Sequence, residues 1–86
     1  MGKLESIKRE RKLLEEMLLE RQDNSAAVEA YNALRPYFKE VDKMTSYYPI
    51  GRIRLVHLFL ESDLGEDDDL FSCYGRFANL IEGVDV

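Results

Sequence analysis

A chain of 86 residues is one domain at most, read here as a single helical unit over 1–86. With 45% hydrophobic and 34% charged residues it is neither a disordered tail nor a membrane-embedded chain. A formal net charge of −5 speaks against a general binder of nucleic acid or of anionic membranes.

A single cysteine, Cys73, excludes an intramolecular disulfide framework and suggests a reducing compartment, so a cytoplasmic location is expected. The start, Met1-Gly2-Lys3-Leu4-Glu5, shows no apolar signal-peptide region, and no apolar stretch is long enough to span a bilayer. The charge is unevenly placed. Residues 1–23 hold six basic and six acidic side chains, residues 24–62 hold five and four, and residues 63–86 hold one and seven. The excess therefore belongs to the last segment alone.

Residues 3–22 predict a long helix, rich in Leu, Glu, Lys, Arg and Met and free of Pro and internal Gly. Leu4, Ile7, Leu14 and Leu18 form one apolar face, which Leu13 and Met17 widen. Leu19 falls off this face, so it is either exposed or covered by another chain. Lys8-Arg9-Glu10-Arg11-Lys12 spreads over more than a full turn, with Glu5, Glu15 and Glu16 near enough to pair, and reads as a solvated face.

Gln22-Asp23-Asn24-Ser25 breaks the pattern, and Asn24 or Ser25 can cap a second helix. Ala27, Tyr31, Leu34, Phe38 and Val41 keep helical spacing to about Lys43. Pro36 lies inside that run and lacks the donor an interior turn needs, so a kink or a break is expected there. Met44–Tyr48 reads as a loop.

Pro49 then opens a third helix carrying Ile50, Ile53, His57 and Leu60 on one side and Leu55, Val56, Leu58 and Phe59 around the rest. An all-round apolar helix belongs in the middle of a fold. A strand is the rival over residues 53–60, but no second strand is present to pair with it. Gly65 suits a left-handed cap closing this element. Glu66-Asp67-Asp68-Asp69 opens a last helix with Leu70, Phe71, Tyr74, Phe77, Ala78 and Ile81 inward, and Gly83 stops it. The fold class expected is all-α, a small bundle of about four helices.

No catalytic constellation accompanies this pattern. His57 is the only histidine and reads as a core or boundary residue; Cys73 reads as a small buried hydrophobe. One His and one Cys cannot fill a zinc site without carboxylates. A calcium loop begun at Asp63 wants glycine sixth and glutamate twelfth, and finds Asp68 and Tyr74. No cofactor, metal or enzymatic activity is expected.

What remains is protein binding. Helix capping accounts for one or two of the carboxylates near Asp67, Asp68 and Asp69, and the rest fit docking of a basic protein surface. Tyr47 and Tyr48 stand together in a loop, where at least one can be exposed, as tyrosines at binding hot spots are. Tyr47-Tyr48-Pro49 resembles the Tyr-Tyr-Pro segment of the colicin DNase immunity proteins, which are small acidic four-helix inhibitors. That likeness covers three residues, and the charge-balanced first helix and the apolar Ile50–Leu60 run depart from that family. It implies only that a chain of this type can act as an inhibitor. The expected function is occupancy of a partner protein, as inhibitor, immunity protein, antitoxin-like protein or adaptor. The alternative is a homodimer paired along the first helix through Leu14, Leu18 and Leu19.

Overall fold

The computed structural model describes residues 2–51, 53 and 55–83. Four α-helices appear, α1 (Lys3–Leu19), α2 (Ser25–Lys43), α3 (Val56–Leu60) and α4 (Asp68–Glu82), with one 3-10 turn at Asp63–Glu66 between the last two. No strand occurs among the described residues. The protein is an all-α bundle, in which α1 packs on both α2 and α4, and α3 lies near α2 and the 3-10 turn.

The three long helices follow their apolar spacing. Ile7, Leu14 and Leu18 of α1, Ala27, Ala30, Leu34, Phe38 and Val41 of α2, and Leu70, Cys73, Tyr74, Phe77 and Ile81 of α4 meet in one core. Phe38 and Phe77 cross edge to face with centroids 5.5 Å apart, an arrangement that adds to their area burial. Of the three leucines expected to drive self-association, Leu14 and Leu18 are buried in the chain's own core and Leu19 is exposed.

One boundary of the first two helices differs from the sequence reading. α1 stops at Leu19 rather than residue 22, because Arg21 N–H donates to Leu18 and Asn24 N–H to Arg21, tightening the chain into a turn. Asn24 then caps α2, its side-chain oxygen accepting from Ala26 N–H at 2.9 Å. α2 runs through Pro36 as one assigned helix, so a break there is not seen.

The third helix is the larger correction. Among the described residues of this stretch only Val56–Leu60 is helical, and residues 49–51 are irregular, their backbone serving the carbonyl end of α4. Ile50 N–H and Gly51 N–H both donate to Ile81 carbonyl at 2.9 and 3.1 Å, and Tyr47 Oη–H donates to Leu80 carbonyl at 2.6 Å. Gly51 takes φ 143°, which continues no helix. Gly83 adopts φ 77° and gives its N–H to Asn79, so it stops α4 as expected. A helix of five residues cannot be enclosed: Phe59 is its one buried residue, whereas Val56, His57 and Leu60 face solvent.

Gly65 is not a left-handed cap either. It sits within the 3-10 turn, where a Cβ would lie 2.5 Å from the Phe59 carbonyl oxygen, so glycine lets this turn press against the end of α3. Gly75, in the middle of α4, has no such neighbour: a Cβ there would meet nothing within 4 Å. It costs the helix about 1 kcal/mol relative to alanine.

Candidate functional site

The acidic segment begins where the 3-10 turn meets α4, and its carboxylates divide by what they touch. Asp63 accepts from Asn24 Nδ2 at 3.0 and 3.2 Å, tying the turn to the start of α2. Asp67 caps α4, accepting from Leu70 N–H at 3.1 Å, and pairs with Arg21 from the turn after α1. The Leu70 N–H bond, opposed by partial burial and reinforced by Arg21, holds the Asp67 carboxyl below its usual range. Asp67, expected among the partner-binding residues, is thus half-buried and paired within the chain. Glu66, Asp68 and Asp69 are exposed.

The two tyrosines part company. Tyr47 is half-buried and bound to the end of α4 through its hydroxyl, so it plugs the bundle. Tyr48 is 44% exposed and donates to Glu40 Oε2 at 3.2 Å.

Surface hollows border these elements. One, beside the acidic turn, is polar and lined by Arg21, Asn24, Asp63 and Asp67. A second, between α3 and α4, is lined by Val56, His57, Phe71, Gly75, Ala78 and Asn79, and reaches Ile53 and Glu82. A third joins Leu19 to Val28 and Tyr31 across the α1–α2 turn. Of the exposed apolar side chains, Val56 lines the second and Leu19 and Val28 line the third, whereas Leu60, exposed at 64%, lines neither. His57, expected in the core or at its boundary, is exposed at the second.

Sequence reading missed a buried charge. Glu10 is 5% exposed and accepts from Arg76 Nε at 2.8 Å, joining α1 to α4. The Cys73 thiol lies 3.7 Å from Glu10 Oε2, and burial, with the Glu10 charge adding to it, pushes that thiol up to about 11. At neutral pH the sulfur is therefore a thiol, not a nucleophilic thiolate. The signal for Glu10 was in the spacing, since it stands three residues after Ile7 and four before Leu14 on the inward stripe.

Arg11, read as part of a solvated basic face, is instead half-buried against Phe38, its guanidinium carbon 5.0 Å from the ring centroid. It donates to Glu15 at 2.8 Å and to Asp42 at 3.0 Å, and Tyr31 Oη–H reaches Glu15 at 3.1 Å, so these charges join α1 to α2. Among the described residues no group of three or more His, Cys, Asp or Glu side chains is placed to hold a metal ion, and no helix is long and apolar enough to cross a membrane.

Comparison with protein-family models, curated proteins and solved structures finds no match to this chain.

Proposed function

We propose that the protein is a binding module that acts by occupying a basic surface of another protein, without a catalytic step. The observation that carries this reading is the division of the carboxylates. Asp63 and Asp67 hold the fold together, and Glu66, Asp68 and Asp69 remain exposed beside them. Exposed carboxylates of one sign raise the rate at which a basic partner arrives, and they do so within a Debye length of about 8 Å at physiological ionic strength. Inhibitor, immunity, antitoxin-like and adaptor roles all use this mechanism.

The test is capture of partners from the source cells by the tagged chain, followed by association kinetics with the captured protein over a salt series. Asp68→Asn with Asp69→Asn slows association at low salt and leaves dissociation nearly unchanged. An association rate indifferent to both substitutions and to salt removes the acidic surface from the mechanism.

A second reading, self-association, is favoured by the exposed pair Leu19 and Val28 bordering one hollow. Light scattering at micromolar concentration then gives twice the chain mass, and Leu19→Glu returns it to one. A monomer unaffected by that substitution ends this reading.

A further inference from the structure

The outer groove between α1 and α2 keeps cations that the fold does not use. Arg11 takes the carboxylates there, pairing with Glu15 and Asp42, and Tyr31 Oη–H adds to Glu15. Lys8 and Lys12 flank that network on α1, seven and three residues before Glu15. Arg35 and Lys39 flank it on α2, one four residues after Tyr31 and the other three before Asp42. All four are exposed, and none forms an ion pair among the described residues. Near the chain turn the same groove becomes apolar. A hollow of about 270 Å³ is lined there by Leu18, Leu19, Gln22, Val28 and Tyr31, with no charge among them. Burial and Glu15 raise the pKa of the Tyr31 hydroxyl and the charges of Arg35 and Arg11 oppose that rise, which sets Arg35 beside the hollow. Small-molecule sites occupy about 300–1,000 Å³, so a smaller hollow suits a single apolar side chain.

The chain carries the matching surface elsewhere. Leu60, at the end of α3, is the most exposed large apolar side chain among the described residues. Glu61 follows it, and the 3-10 turn lies against it, since a Cβ on Gly65 would sit 3.6 Å from Leu60 Cα. Glu66 ends that turn. The Glu61 and Glu66 side chains are exposed and form no hydrogen bond or ion pair among the described residues. Glu61 stands at the carbonyl end of α3, where a carboxylate is repelled rather than held. An apolar knob among free carboxylates thus answers an apolar hollow among free cations.

We propose that two copies of the chain pair reciprocally, the α1–α2 groove of each taking Leu60, Glu61 and Glu66 of the other. This rests on the self-association reading above and names the surface that meets Leu19 and Val28. Reciprocal contacts about a two-fold axis close at two chains, the commonest form of soluble oligomer. Each copy has a net charge of −5, but repulsion between whole chains is screened beyond about 8 Å at physiological ionic strength, whereas groove and knob charges meet in contact. A duplex nucleic acid or an anionic membrane extends past the groove onto the acidic segment of the same chain, which disfavours either as occupant.

The test is sedimentation velocity from micromolar to millimolar concentration, on wild type and on charge-reversed variants. Wild type forms a dimer that salt weakens. Arg35→Glu with Lys39→Glu is a monomer, and so is Glu61→Lys with Glu66→Lys. Mixed one to one, the two variants restore the dimer, because each groove again meets opposite charge; restoration also shows that both are folded. Leu60→Ala weakens the dimer by about tenfold or more, the scale of a truncated hot spot. A side chain 64% exposed can be cut without opening the core, so Leu60→Ala carries the test where circular dichroism shows a charge variant unfolded.

A dimer retained by either folded charge variant overturns the pairing, as does a mixture of folded variants that stays monomeric or a dimer indifferent to Leu60→Ala. If Leu19→Glu still dissolves that dimer, self-association stands and another surface covers the hollow. A wild type monomeric throughout removes both. If wild type is monomeric and an acidic protein captured from cells is lost by Arg35→Glu with Lys39→Glu, that protein is the occupant and the pairing falls.

Discussion

Asp67 does two things at once, and substitution separates them. One carboxylate oxygen accepts from Leu70 N–H at the start of α4, and the other takes Arg21 from the turn after α1. The two side chains are 29% and 30% exposed, so the pair is neither washed by solvent nor sealed from it. Exposed pairs contribute about 0–1 kcal/mol and breaking buried ones costs about 3–5, which puts this pair near 1 kcal/mol. The cap contributes about another 1 kcal/mol.

Asp67→Asn keeps an oxygen for Leu70 and loses the charge, so it costs about 1 kcal/mol, whereas Asp67→Ala loses both and costs about 2. In a domain of this size each kcal/mol moves the melting temperature by about 4–8 °C. The pH dependence has a definite sign. Asp67 is held below its unfolded value, so its contribution is complete above that value, about 3.9, and is lost as pH falls through the lower folded one. Urea unfolding followed by circular dichroism should therefore show a full gap between wild type and Asp67→Asn at neutral pH, closing below about pH 4. A gap that stays constant into acid, or an Asn variant as stable as wild type at neutral pH, would refute the ion-pair assignment.

Other substitutions read other parts of the fold. Gly83→Ala strains a φ of 77° and drives a Cβ to 2.8 Å from Pro49 Cβ, so thermal melts should show a loss of at least about 1 kcal/mol. Tyr47→Phe removes the hydroxyl that caps Leu80, and a loss of about 1 kcal/mol in urea unfolding is expected, with no change if the carbonyl finds water instead. Cys73 should resist iodoacetamide at neutral pH in the native protein and react readily in urea; a native rate equal to the unfolded one would contradict its burial and its raised value of about 11.

What the sequence made legible were the elements whose information is local. Ile7, Leu14 and Leu18, or Leu34, Phe38 and Val41, announce an inward stripe by spacing alone, and Asn24 and Gly83 announce its ends. Periodicity misleads over residues 49–51 because the deciding demand comes from elsewhere. The last carbonyls of α4 needed donors, and Tyr47, Ile50 and Gly51 supply them from about 30 residues away in sequence. A wide apolar stripe does not say which neighbour covers it, and Leu14 and Leu18 lie in the core that α1 shares with α2 and α4.

The acidic segment shows the same limit in its charges. From composition alone its carboxylates are interchangeable, and capping accounts for one or two of them. Two long-range partners settle which are which: Arg21 lies 46 residues before Asp67, and Asn24 lies 39 before Asp63. Both partners come from the α1–α2 turn, so the same stretch that reverses the chain also anchors the start of α4. Neutralising the whole run would therefore mix a folding defect with a binding defect. Substitutions confined to Asp68 and Asp69 leave that anchor intact, so a change in association rate there reports on the surface and not on the fold.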